Sequence, residues 1–317
     1  MEWSQIAAVA AAVVLFLAFL AAVCGYLVFR MAIRRPVKPK PESKDPRKIE
    51  RKAIREKNNA ALFALHPEDL SLTTPDGLTL RAWFLPAAKP SKRFAVCVHG
   101  YKCNGPDEFS HMMPFYHEML GYNYLLPDNR AHGRSEGKYI GFGCLDYKDI
   151  LQWTAYLVER FGEDIEIILH GISMGAVTVM LANANNPPPQ VKLVIEDCGF
   201  TTLVDEMKAN LKEKTRLKLA FLIPLGSIWC RLIAGYRFED ADCIEAVKKA
   251  KNPVMFIHGA SDTFVPTGMV YRLFEACAAK KDLLVVEGAV HAYSYYDAPE
   301  LYREKVTGFI AACTGSV

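Results

Sequence analysis

Residues 165–175 read Ile-Glu-Ile-Ile-Leu-His-Gly-Ile-Ser-Met-Gly, and this stretch decides the fold. The apolar run Ile165–Leu169 predicts a buried strand, and the residues after Gly175 have the composition of a helix. Between them lies a Gly-x-Ser-x-Gly turn, whose glycines allow the sharp bend that lifts Ser173 above a sheet. The pentapeptide alone is a weak signal. Its position between a strand and a helix predicts that Ser173 is a nucleophile rather than an exposed turn serine.

The same alternation of short apolar runs and helix-length segments continues in both directions. Leu70–Thr74 and Leu78–Leu85 flank Pro75-Asp76-Gly77, which predicts a hairpin. Further strands are predicted at Phe94–Val98, Tyr122–Leu126, Val191–Ile195, Val254–Ile257 and Leu283–Val286, with helices at 106–120, 145–161, 174–185 and 266–280. This order predicts an α/β fold over residues 68–317, with a mostly parallel eight-stranded sheet and helices on both faces.

A serine nucleophile needs a base and a group that orients the base. Asp262 follows the seventh predicted strand and His291 follows the eighth, so both fall in loops at the carboxyl edge of the sheet. The chain order of serine, aspartate and histidine is therefore compatible with a catalytic triad of Ser173, Asp262 and His291. Glu196 and Asp197, after the sixth strand, are alternative candidates for the acid. We prefer Asp262 because it lies in the loop after the seventh strand, which is the customary position of the acid in this chain order.

The residues after the third predicted strand complete the pattern. The chain resembles an α/β-hydrolase, close to the bacterial subfamily labelled serine aminopeptidase S33-like or BEM46-like. The segments that carry this resemblance are His99-Gly100-Tyr101, Asp128–Ser135, Gly171–Gly175, Phe256–Pro266 and Gly288–Tyr293. They cover most of residues 70–312 and are specific for the fold rather than for a substrate. The resemblance implies an oxyanion hole formed by the backbone amides of Tyr101 and Met174.

No motif in the sequence indicates a cofactor or a metal. The chain has no Gly-x-x-x-x-Gly-Lys-Ser/Thr loop, and no His/Glu cluster has the spacing of a metalloenzyme. Its nine cysteines are scattered and contain no Cys-x-x-Cys pair, which favours reduced, buried thiols. We therefore expect neither a cofactor nor a metal site. Four histidines that precede a glycine, at positions 99, 132, 170 and 258, are interpreted as turn-packing residues.

The first 67 residues differ in composition from the rest of the sequence. Ile6–Phe29 is uncharged over 24 positions, which as a helix spans about 36 Å and is long enough to cross a bilayer. A cleaved signal peptide would need a basic segment before Ile6, and the tail 1–5 contains no Lys or Arg. We therefore predict a single-pass anchor in the cell membrane at residues 6–29.

Positive charge is concentrated directly after this segment. Residues 30–57 hold twelve Lys/Arg against four Asp/Glu, whereas the whole chain carries only +3. This pattern indicates a juxtamembrane stretch, not a nucleic-acid-binding face. By the positive-inside rule it places the domain in the cytoplasm. Within the linker 30–67, residues 36–41 predict an extended spacer. Residues 47–65 predict a helix, either a stalk or a helix packed on the domain.

Residues 201–240 interrupt the alternation and predict a helical cap inserted near Ser173. Its stretch Leu219–Leu225 is apolar, so it could pack as ordinary core, line an acyl pocket or dock on the membrane. The function that these observations favour is a membrane-anchored serine hydrolase acting on carboxylic esters or thioesters, with a small-molecule or lipid-like acyl substrate. The alternatives are a serine peptidase or acyltransferase of the same fold, and a non-catalytic binding scaffold at the membrane. The sequence does not indicate an oligomeric state.

Overall fold

The computed structural model of the chain describes residues 2–36, 44–214 and 219–315. Its centre is an eight-stranded sheet: β1 Glu68–Thr73, β2 Thr79–Leu85, β3 Arg93–Val98, β4 Asn123–Pro127, β5 Glu166–Ile172, β6 Val191–Asp197, β7 Val254–Gly259 and β8 Lys281–Val286. The order across the sheet is β1-β2-β4-β3-β5-β6-β7-β8. Strand β2 is antiparallel to both its neighbours, and all other pairs are parallel. The predicted fold class is thus confirmed.

Helices cover both faces of this sheet. They are α1 Trp3–Ile33, α2 Pro46–Ala64, α3 Gly105–Phe109, α4 Asp146–Phe161, α5 Met174–Ala184, α6 Leu203–Lys214, α7 Leu222–Ala234, α8 Cys243–Lys248, α9 Gly268–Ala276, α10 Ser294–Asp297 and α11 Pro299–Thr314. Because side chains alternate along a strand, Cys97 packs on the face covered by α11, with Tyr302. Val96 packs on the opposite face, against Trp153 of α4.

The prediction of one continuous helix at 106–120 is wrong. Instead, α3 is followed by one 3₁₀ turn at Ser110–Met112 and one π turn at Pro114–Met119. Pro114 has no backbone N–H, and its ring would clash with the carbonyl four residues earlier, so a regular α-helix cannot pass through it. The tighter turn before Pro114 and the wider turn that begins at Pro114 accommodate this break.

The N-terminal helix is longer than the apolar segment alone. Helix α1 runs past Phe29 to Ile33, so that Arg30 lies in its last turn. Among the described residues it is the one helix long and apolar enough to cross a membrane, although a signal sequence has the same properties. The spacer predicted at 36–41 lies, apart from Pro36, outside the described residues. Helix α2 is packed on the domain rather than being a free stalk, because Leu62 is buried in the core.

The insertion predicted at 201–240 is helical where the structure describes it, through α6 and α7; residues 215–218 lie outside the described part. Ile223 and Cys230 of α7 are buried in the same cluster as Met174. The outer side of α7 is in close contact with α1. A Cβ on Gly25 would lie 2.7 Å from Cβ of Leu225, and one on Gly226 would lie 2.7 Å from Cγ1 of Val28. The two glycines therefore allow the two helices to cross almost backbone to backbone.

Candidate active site

The turn between β5 and α5 holds Ser173 in a strained conformation. Its φ of 56° and ψ of −117° lie in a region that non-glycine residues rarely adopt. The surrounding contacts require this bend, since a Cβ on Gly171 would meet the carbonyl of Gly175, and a Cβ on Gly175 would meet the carbonyl of Val98. The amide of Ser173 also donates to the carbonyl of Asp197 at 2.8 Å, which fixes the turn against β6.

The loops after β7 and β8 bring two further side chains to this serine. The Ser173 hydroxyl lies 3.0 Å from Nε2 of His291, and Nδ1 of His291 lies 2.7 Å from Oδ2 of Asp262. Both distances are those of normal hydrogen bonds. With Nδ1–H donating to the carboxylate, Nε2 is left free to accept the serine proton. The structure thus places Ser173, His291 and Asp262, the three residues chosen from the sequence, in one hydrogen-bonded chain.

Asp262 is held as an anion. Its Oδ1 accepts the backbone N–H groups of Phe264 and Val265, each at 2.9 Å. Burial opposes its ionisation, but hydrogen bonds from His258 and His291 outweigh burial and lower the pKa of Asp262 to about 2. His258, whose Nε2 lies 3.3 Å from Oδ2 of Asp262 and 2.9 Å from the carbonyl of Val265, is a supporting residue that the sequence did not reveal. The spacing of four residues between the two, across the end of β7, was the available signal.

The two alternative acids occupy a different environment. Oδ2 of Asp197 accepts from the Tyr302 hydroxyl at 3.0 Å, and Oε2 of Glu196 accepts from the amide of Gly199 at 2.9 Å. Burial raises the pKa of Asp197 to about 6, although the Tyr302 bond and the nearby histidines oppose this rise. Burial also raises the pKa of Glu196 well above its usual range. Asp262 is therefore the carboxylate that bonds His291, whereas Asp197 and Glu196 bond other groups.

The loop after β3, which carries Tyr101, lies directly against the serine. A Cβ on Gly100 would be 3.4 Å from Cβ of Ser173. Two buried histidines hold this loop: Nε2 of His99 accepts the amide of Asn129 at 3.0 Å, and Nε2 of His132 accepts the amide of Lys102 at 3.1 Å. Burial lowers the pKa of both imidazoles, so both are neutral and can accept. Met174, the other residue assigned to the oxyanion hole, begins helix α5, whose first amides favour negative charge.

Helix α1 contacts this loop directly and helix α2 is connected to it through Glu108, and sequence reasoning missed both connections. The Tyr101 hydroxyl donates to the carbonyl of Ala32 in α1 at 2.7 Å. The Arg51 guanidinium of α2 bonds Oε1 of Glu108 at 2.8 Å, and Oε2 of Glu108 accepts the amide of Gly100 at 3.4 Å. No local pattern predicts such contacts, since the partners are far apart in the chain.

One group of possible metal ligands is present in the described part of the chain. The thiol of Cys198 and the nearest ligand atoms of Asp262 and His291 all lie within 4.8 Å of one another. Burial and the neighbouring carboxylates raise the pKa of the Cys198 thiol, so it stays protonated and is a poor ligand. Two of the three groups also belong to the hydrogen-bonded chain at Ser173. This arrangement favours acid–base chemistry without a metal at these residues.

Comparisons with known proteins bear on the fold and the family of the chain. A family model described as the alpha/beta hydrolase family matches residues 95–305. The chain is 30% identical to YqkD of Bacillus subtilis, an uncharacterized protein, over 68% of this chain and 70% of that one. It is 22% identical to the protein bem46 of Schizosaccharomyces pombe, over 69% and 68% of the two chains. Among solved structures, the Pyrococcus furiosus esterase Pf2001 superposes with a TM-score of 0.67, at 20% identity, over 89% of this chain and 98% of the esterase.

Proposed function

Because this chain belongs to the alpha/beta hydrolase family, we propose that it is a membrane-anchored serine hydrolase that cleaves carboxylic esters or thioesters. The observation that carries the proposal is the unbroken pair of hydrogen bonds from Ser173 through His291 to Asp262. A binding scaffold needs no such chain and no strained serine. The esterase fold of the superposed Pyrococcus protein supports the same class of reaction.

The proposed reaction follows from the positions of these groups. The oxygen of Ser173 attacks the acyl carbon while its proton moves to Nε2 of His291, and Asp262 stabilises the imidazolium. The amides of Tyr101 and Met174 bind the oxyanion of the tetrahedral intermediate. His291 then donates the proton to the departing alcohol or thiol. Water, deprotonated by His291, releases the acid from the acylated serine.

The test is covalent labelling of the purified full chain with a fluorophosphonate. Wild type and Ser71→Ala, which alters an exposed serine on β1, should be labelled and should hydrolyse p-nitrophenyl esters. Ser173→Ala should lose both properties. Folded Ser173→Ala that is still labelled would contradict the assignment of the nucleophile. Unlabelled, inactive and well-folded wild type would favour the non-catalytic scaffold.

The membrane part of the proposal rests on α1. Residues 3–20 of this helix are exposed throughout, and most of them are apolar, which is unstable in water and stable in lipid. The basic residues after Phe29 favour a cytoplasmic domain. A C-terminal green fluorescent protein fusion should therefore fluoresce, and the chain should stay in the membrane after carbonate extraction. A mature chain that lacks α1 would identify the segment as a signal sequence.

A further inference from the structure

A cavity lies where α1 ends against the domain. Its volume is about 540 Å³, and it is bounded by the last turns of α1, the segment Gly137–Tyr139 and Ile233 of α7. Four cations line it: Arg30, Arg34, Arg35 and Lys138. We refer to this cavity as the basic groove. It is separate from the hydrogen-bonded chain at Ser173 and has no role in the proposed reaction.

The cations of the basic groove differ in what they bind. Arg35 is fixed, because its guanidinium donates to the carbonyls of Ser135 and Gly133, both at 2.6 Å. The side chains of Arg30, Arg34 and Lys138 are exposed. Within residues 2–36, 44–214 and 219–315, no acidic side chain forms an ion pair with any of these three. Positive charge gathered in a concave site without internal compensation is suited to an anion.

The walls of the groove are partly apolar. Tyr26 and Phe29 line it from α1, and Tyr139 lines it from the domain. The Phe29 and Tyr139 rings lie 5.6 Å apart, and Tyr26 packs edge-on against Trp229. Tyrosine and tryptophan are enriched at the level of lipid headgroups, where one end of the ring is apolar and the other is hydrated. A free inorganic anion would gain no favourable contact with these apolar walls.

The position of the basic groove along α1 agrees with the depth of the lipid headgroups. A helix needs about 20 residues to cross a hydrocarbon core of roughly 30 Å. If the core begins near Ile6, it ends near Gly25, and Arg30 lies about 7 Å further, among the headgroups. On the same two helices, α1 and α7, Met31, Ile228 and Leu232 are exposed apolar side chains. The face of the domain beside α1 is therefore suited to rest on lipid.

We propose that the basic groove binds the phosphodiester headgroup of an anionic phospholipid, with Arg30, Arg34 and Lys138 on the phosphate and the acyl chains alongside α1. This inference rests on the proposed membrane anchoring but not on the proposed chemistry. It gives α1 a second role, since the lipid would join the end of the anchor to Tyr139 and Ile233 of the domain. The bound phospholipid is a structural ligand at this position.

The test uses the full chain in phosphatidylcholine vesicles that contain a trace of spin-labelled phosphatidylglycerol or spin-labelled phosphatidylcholine. The fraction of motionally restricted label measures the relative association of the two lipids. We expect wild type to prefer phosphatidylglycerol by about tenfold. Arg30→Gln combined with Arg34→Gln should reduce the preference to within about twofold of unity. Circular dichroism and thermal unfolding of the double variant, compared with wild type, verify that it is folded.

The matched control removes the same charge elsewhere in the basic region. Lys48→Gln combined with Lys57→Gln alters two exposed lysines of α2 and should retain most of the preference. An equal loss of the phosphatidylglycerol preference in both double variants would mean that the whole basic region is attracted to an anionic surface. That result would overturn the proposal of a specific site in the groove. Micromolar binding of glycerol phosphate by the detergent-solubilised chain, without lipid discrimination, would assign the groove to a soluble phosphate and also overturn the proposal. Failure to enter the vesicles would contradict the anchoring itself, whereas entry without headgroup preference would contradict the groove alone.

Discussion

The hydroxyl of Tyr101 donates a 2.7 Å hydrogen bond to the carbonyl of Ala32, and so joins the loop beside Ser173 to the end of the N-terminal helix. Burial raises the pKa of this hydroxyl, which keeps it protonated as a donor. The Tyr101 ring also packs on Phe142, with ring centroids 5.0 Å apart. A residue proposed to supply an oxyanion amide is thus fixed from its side chain by α1.

We expect Tyr101→Phe to lower kcat for an activated ester about five- to tenfold with little change in KM, because the oxyanion interaction forms in the transition state. The unfolding free energy should fall by about 1 kcal/mol through the lost hydrogen bond. Tyr271→Phe, which alters a half-exposed tyrosine on α9, is the control. Equal effects of the two substitutions, or a change in KM alone, would argue against a positioning role for the hydroxyl.

The two candidate acids can be separated by substitution. Asp262→Asn should lower kcat/KM about 10³- to 10⁴-fold, since His291 would lose the anion that sets its tautomer. Asp197→Asn should lower kcat/KM less than about tenfold, because the carboxylate of Asp197 accepts from Tyr302 and not from His291. Ester hydrolysis by the two purified variants is the measurement. The reverse ranking would assign the acid to the end of β6.

Asp197 should make stability depend on pH. Its pKa is about 6 in the folded chain against an ordinary value of 3.8, so the folded state binds the proton more tightly. Its contribution is full below about pH 4 and is lost as pH rises through 6, by up to about 3 kcal/mol. Wild type should therefore lose stability relative to Asp197→Asn between pH 4.5 and 7.5. Urea unfolding of both proteins at the two pH values tests this, and a constant difference would contradict it.

The crossing of α1 and α7 should be sensitive to one methyl group. Gly25→Ala places a carbon 2.7 Å from Cβ of Leu225 and 2.9 Å from its carbonyl, so the helices must separate. We expect a loss of about 1–3 kcal/mol in unfolding free energy. Gly308→Ala, on α11 where a Cβ meets nothing within 4 Å, should instead gain about 0.5–1 kcal/mol. A gain in unfolding free energy in both variants would show that α1 and α7 are not closely packed at Gly25.

Phe221, within the apolar stretch Leu219–Leu225 of the insertion, tests whether this segment selects substrates. The side chain is 66% exposed, so Phe221→Ser should cost little stability. If the segment contacts an acyl chain, kcat/KM should fall about tenfold for a dodecanoate ester and remain unchanged for an acetate ester. Parallel assays with the two esters are the measurement. An equal loss on both would mean that the segment only supports the fold.

Much of this architecture was predictable because its signals are local. A buried parallel strand appears as a short apolar run, and the loop at its carboxyl end carries the polar residues. Ser173, Asp262 and His291 could therefore be chosen from the Gly-x-Ser-x-Gly motif, the chain order and their positions after three strands. The contact of α1 with α7 could not be predicted, because no sequence pattern indicates that two apolar helices distant in the chain pack against each other. Gly25 and Gly226 are compatible with a close crossing, but small residues also occur without one.

The crossing of α1 and α7 also has a consequence for biogenesis. Helix α7 begins about 190 residues after α1 ends, so α1 leaves the ribosome long before its partner exists. At about 5–20 residues per second, this delay is on the order of 10–40 s. During that time Gly25 has no α7 to pack against, and in the proposed anchor the bilayer would surround this part of α1. For the proposed membrane anchor, entry of the nascent chain into the bilayer would therefore precede completion of the domain, and the finished domain would assemble against a helix already in place.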